Sequence, residues 1–68
     1  MLEIKKSGKT EYGVWVIGTL KYQGLEITDI FNTTLDDTSI FEDKESIKVK
    51  TIKISRRKDK SFRITLEF

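Results

Sequence analysis

At 68 residues the chain has room for one domain, residues 1–68, and a chain this short buries only about 60% of the surface its unfolded form exposes. Hydrophobic residues make up 37% and charged residues 35%, enough for a compact core but not for a deep cleft beside it. Cysteine and histidine are absent, which excludes disulfide staples and thiolate metal sites and removes the commonest general base and the strongest natural nucleophile.

Alternation dominates the chain, and the best helix former, alanine, does not occur. Leu2 and Ile4 alternate with Glu3 and Lys5, and Ser7-Gly8 reads as a two-residue turn into the next strand. The opening residues carry charge, unlike a secretory leader, and no apolar run approaches the ~20 residues of a membrane span. Without disulfides, a domain this small is expected in the cytoplasm.

Between Tyr12 and Tyr22 the even positions Val14, Val16 and Leu20 share one face. Trp15 and Ile17 make the other face apolar too, until Thr19 and Lys21 turn it polar. Such a strand is expected at the centre of a sheet or between two packed sheets. Gly13 and Gly18 offer places for bends or bulges. Trp15, the lone tryptophan, is expected in the core.

Gln23-Gly24 is the next tight turn. Leu25, Ile27 and Phe31 then share a face opposite Glu26, Thr28 and Asn32, so residues 2–32 read as a three-stranded meander. The polar stretch 32–38 reads as a loop. Ser39-Ile40-Phe41-Glu42 fits a capping box and predicts one to two helical turns within 39–46, with a short strand at Ile40-Phe41 as the alternative.

Ile47 and Val49 alternate with Lys48 and Lys50, and Ile52 and Ile54 take the opposite parity, which predicts a β-bulge near Lys50-Thr51. Phe62, Ile64, Leu66 and Phe68 alternate with Arg63, Thr65 and Glu67. Between these two strands lies a hairpin tip, Arg56 to Lys60, with Asp59 as its turn residue. The expected fold is therefore all-β and mainly antiparallel, a small five-stranded barrel or strongly bent sheet. Five strands with a short helix or loop between the third and fourth is the element order of an OB-type barrel, and an SH3-like barrel is the alternative.

Charge is unevenly placed. Residues 46–63 hold eight basic side chains, Lys48, Lys50, Lys53, Arg56, Arg57, Lys58, Lys60 and Arg63, against the single acid Asp59. Residues 22–45 hold seven acids against Lys44, so the net charge of +2 hides a dipole along the sequence. A ribbon studded with lysine and arginine tracks phosphates by releasing counterions, and arginine adds forked contacts to phosphate oxygens. The plainer reading is a solvated strand whose lysines protect an edge, or a basic hairpin that pairs with the acidic middle of the same or another copy. Tyr12 and Tyr22 are candidates for stacking on bases. In a regular strand their parity sets them on the side opposite Trp15.

The acidic residues Asp36, Asp37, Glu42, Asp43 and Glu45 lack the spacing of a calcium loop, and no metal or other cofactor is expected. The four glycines are dispersed, so no phosphate loop is present, and no enzyme is expected. The leading expectation is a nucleic-acid-binding module of low sequence specificity, for single-stranded or duplex nucleic acid, with the eight cations above as phosphate contacts. The rival is a protein-interaction module, an inhibitor or assembly subunit, that uses the acidic loop and exposed strand edges for a partner protein or self-association. No membrane association is expected.

Overall fold

The computed structural model describes residues 1–68 and contains six strands in one mixed sheet. These are β1 (Leu2–Thr10), β2 (Gly13–Tyr22), β3 (Leu25–Thr33), β4 (Ser46–Ile47), β5 (Thr51–Arg56) and β6 (Phe62–Glu67). Their order across the sheet is β4-β1-β2-β3-β6-β5. All neighbours are antiparallel except β3 and β6. The expected count of five strands becomes six because the two-residue β4 pairs with β1 through Leu2 and Ile47.

β1, β2 and β3 form the meander that alternation predicts. Gln23 and Gly24 both have positive φ, 48° and 83°, which suits the right-handed twist of the strands they join. The first turn, however, is not Ser7-Gly8. β1 runs through both residues to Thr10, and Glu11-Tyr12 makes the turn. The register slips between Ile4 and Lys6, which leaves Lys5 as the extra residue of a bulge. Gly18, opposite Ile4, sits where a β-carbon would overlap the Glu3 carbonyl oxygen, so this approach needs glycine. Beyond the bulge the parity of β1 is reversed, and Ser7 and Lys9 take the side that Leu2 and Ile4 held.

One side of the sheet carries the core. Leu2, Val14, Val16, Leu20, Phe31 and Leu66 are buried there, and Phe41 closes it from the 34–45 segment. Phe41 meets Phe68 edge-to-face, with ring centroids 5.4 Å apart. The expected helix reduces to a single 3-10 turn, Ser39–Phe41. Its capping box does not form. Thr38 is the cap residue, and the Ser39 N–H and hydroxyl both donate to the Asp37 carboxylate, at 2.9 and 2.6 Å. With Ser39 engaged backwards in this way, Glu42 has no capping partner and adopts extended backbone.

The phase slip near Lys50-Thr51 is a break between strands rather than a bulge in one. The chain leaves β4 at one sheet edge, crosses in residues 48–50 and enters β5 at the other edge. Four residue steps reach at most about 14 Å. The sheet must therefore curl until its two edges lie close, yet no strand pairing closes it into a barrel. β3 and β6 pair only through Asn32 with Thr65 and Thr33 with Leu66, then diverge towards their N-terminal ends. The β2–β3 and β5–β6 hairpins consequently project past the core. Leu25, Ile54 and Phe62 have the predicted parity, but 62–64% of each remains exposed. No helix is long and apolar enough to cross a membrane.

Candidate nucleic-acid interface

The basic cluster is built on the β5–β6 hairpin. Six residue pairs, from Thr51 with Glu67 to Arg56 with Phe62, hold the two strands. At the tip the Arg57 N–H donates to the Ser61 carbonyl at 2.8 Å, and Lys60 takes a positive φ of 70°. Asp59 is the turn residue, as its type predicts. Its carboxylate accepts the Ser61 hydroxyl at 2.6 Å and the Ser61 N–H at 3.1 Å.

These two hydrogen bonds, the hydroxyl first, hold the Asp59 carboxyl below the usual aspartate range. A lowered folded value means the turn is stabilised wherever the unfolded aspartate is ionised and loses that contribution as pH falls through the lowered value. Because an unperturbed aspartate titrates at about 3.9, the Ser61 amide resonance should hold steady from neutral pH down to that value and move only below it. An NMR pH titration checks this, and a Ser61 shift that moves at or above the ordinary aspartate pKa would contradict the turn geometry.

All eight predicted cations are exposed, but they do not form one stripe. Lys48 and Lys50 sit on the crossing segment, and Arg57, Lys58 and Lys60 on the tip. Lys53 and Arg63 project from the outer face of the sheet, away from the core, because they alternate with Ile52, Ile54, Ile64 and Leu66. Arg56 lies on the core-facing side, with its guanidinium 5.7 Å from the Phe62 ring centroid. Only Lys53 is ion-paired, to Glu67 at 3.0 Å.

Tyr12 and Tyr22 lie at opposite ends of β2 and are not brought together. Tyr22 joins Met1, Leu25, Ile27, Lys50 and Ile54 around an apolar hollow of about 460 Å³. Tyr12, 92% exposed, lines a shallow depression of about 400 Å³ with Trp15, Asn32, Arg63 and Thr65. Trp15 is thus not a core residue. It is half-buried on the outer face, while Val14 and Val16 beside it point into the core. Parity separates Tyr12 from Trp15 only in a regular strand, and Gly13 between them has φ 134°, so both reach the same hollow.

Gly8 explains the seat of the indole. It pairs with Trp15 across β1 and β2, and a β-carbon there would overlap the ring. The glycine that looks like a turn residue is a place of close approach. Gly8→Val should push the ring into solvent and shift the emission of this sole tryptophan to longer wavelength. Unchanged emission would show that the ring does not rest on Gly8.

Sequence reasoning did not single out Asn32 or Thr65. They meet only through the parallel β3–β6 pairing, which joins residues 33 positions apart and leaves no local signal. The acidic residues of 34–45 stay dispersed, and no three acidic side chains converge on a common point. No protein-family model, curated protein or solved structure matches this chain.

Proposed function

We propose that this chain is a nucleic-acid-binding module of low sequence specificity. Lys48, Lys50, Lys53, Arg56, Arg57, Lys58, Lys60 and Arg63 supply its phosphate contacts. One observation carries the reading. Seven of the eight cations are exposed without an acidic partner, although the chain holds 11 acids. A lysine or arginine kept only to balance internal charge would be paired, and free cations at a hairpin are available to displace counterions from phosphates. The work is binding rather than catalysis, in the cytoplasm.

The strand order supports an OB-type reading of the fold. With β4 and β5 taken as two halves of one interrupted strand, a five-strand path runs first, second, third, fifth, fourth and back to the first. Such a path would be that of a partly open barrel, an architecture suited to oligonucleotides, although no pairing joins the two sheet edges here. The test is an amide-shift NMR titration with a short oligonucleotide. Shifts centred on residues 48–63 are expected, and shifts absent there but present elsewhere would contradict the assignment.

A second reading, a protein-interaction module, has its own observation. β3 pairs with β6 at only two positions, so the edge of Leu25–Ile30 is open beside the hollow that holds Tyr22 and Ile54. Part of that edge is blocked, since the Ile30 N–H donates to the Asp29 carboxylate at 2.7 Å. Under this reading the same titration leaves residues 48–63 unmoved, and a partner protein or a second copy shifts residues 25–30 instead.

A further inference from the structure

Resting on the nucleic-acid reading above, we propose that the depression between β2, β3 and β6 is a subsite for one unpaired keto base of a single strand. Tyr12 and Trp15 are its stacking surfaces, and Asn32 and Arg63 read its edge, which takes Arg63 out of the phosphate set and leaves the other seven cations there.

The polar groups of the outer face point to this place. Elsewhere on that face six polar side chains satisfy one another in pairs. The Thr19 and Thr28 hydroxyls bond at 2.8 Å, Lys21 reaches Glu3 at 2.6 Å, and Lys53 reaches Glu67. In the depression the Asn32 amide, the Arg63 guanidinium, the Thr65 hydroxyl and the Trp15 Nε1–H all lack a protein partner. Four unengaged polar groups around one hollow are positioned for a ligand with several hydrogen-bonding sites.

The aromatic side chains supply the other half. The Tyr12 backbone is pinned, with its N–H donating to the Thr10 hydroxyl at 3.2 Å and that hydroxyl donating to the Gly13 carbonyl at 3.4 Å. Its ring is almost wholly free. Trp15 is seated against Gly8, so one aromatic ring is held by the sheet and the other stands exposed beside it. A planar base offers two π-faces to such a pair. A hollow of about 400 Å³ falls within the ordinary range of small-ligand sites.

Hydrogen-bond arithmetic selects among bases. Arginine has five donors and no acceptor, indole one donor, and asparagine both. Donors therefore exceed acceptors. Guanine, thymine and uracil carry an exocyclic carbonyl oxygen where adenine and cytosine carry an amino donor, so the keto bases fit better. A base inside a duplex is paired and stacked on both faces and cannot enter without being flipped out.

Trp15 reports occupancy directly, because it is the only tryptophan. Anisotropy of labelled oligo-dT, oligo-dA and a mixed-sequence duplex measures binding, while Trp15 emission measures the subsite. The expected result is that oligo-dT quenches Trp15 and binds several-fold tighter than oligo-dA. The duplex leaves Trp15 unchanged even where it binds. Tyr12→Ala and Asn32→Ala should each weaken oligo-dT roughly tenfold, the scale of one lost base contact, with an unchanged salt slope because no phosphate contact is removed. Tyr12 packs on nothing, so its variant keeps the fold. Thymidine monophosphate as potent as the strand would overturn the strand as ligand in favour of a free nucleotide. Oligo-dT that binds without quenching, or with both variants at wild-type affinity, overturns the subsite and leaves the phosphate contacts standing. Absence of all binding removes both.

Discussion

Truncation of Phe31 to alanine is expected to unfold the domain or leave it at the edge of unfolding. Phe31 is fully buried near the C-terminal end of β3, directly across from Val16, which is also fully buried. Removing a buried phenylalanine costs about 3–5 kcal/mol through lost burial and the cavity left behind. Native domains hold roughly 0.05–0.15 kcal/mol per residue, so the loss rivals the whole margin of a chain this size. Urea denaturation followed by circular dichroism measures it. Trp15→Ala should cost less, because the indole lies half-exposed on the outer face. A Phe31 variant as stable as the wild type, or less damaging than Trp15→Ala, would mean that the core lies on the other side of the sheet.

The second large effect concerns ligand rather than fold. Replacing Arg56, Arg57, Lys58 and Lys60 together with glutamine should leave folding nearly intact, since all four are exposed and surface substitutions usually stay within about ±0.5 kcal/mol each. Arg56 adds a cation–π contact with Phe62, worth about 0.5–1 kcal/mol at an exposed site. Nucleic-acid affinity, by contrast, should fall for every sequence alike. If each cation meets one phosphate, the slope of log affinity against log salt becomes shallower by about 3, at roughly 0.7 to 0.9 per contact. An unchanged slope would place the phosphate contacts elsewhere.

Alternation along single strands was the legible part of this fold. Val14, Val16 and Leu20 face the core as their spacing predicts, and so does Leu66. Spacing tells which side a residue takes, but not whether anything covers it. Leu25 and Phe62 have core parity and remain exposed because β3 and β6 diverge around them. Glycine was ambiguous for a related reason. At Gln23-Gly24 it serves a positive φ, at Gly8 it makes room for an indole, and the two uses look alike in a sequence. The two-residue β4 and the β3–β6 pairing depend on partners far along the chain, which local pattern does not encode.

The site divides in the same way. The run of cations was legible as composition, but its division between hairpin tip, crossing segment and outer face follows from strand parity and the break at residues 48–50. Tyr12 was legible as an exposed aromatic. Its company with Trp15 was hidden, because the backbone at Gly13 departs from the regular strand on which parity reasoning depends.

The most direct measurement of the central claim is the affinity of the wild-type chain for labelled single- and double-stranded oligonucleotides at low salt, repeated as salt is raised. Binding that weakens linearly in log salt, with a slope of several units that is the same for every sequence, is the predicted result. No binding to any oligonucleotide at low salt would contradict it.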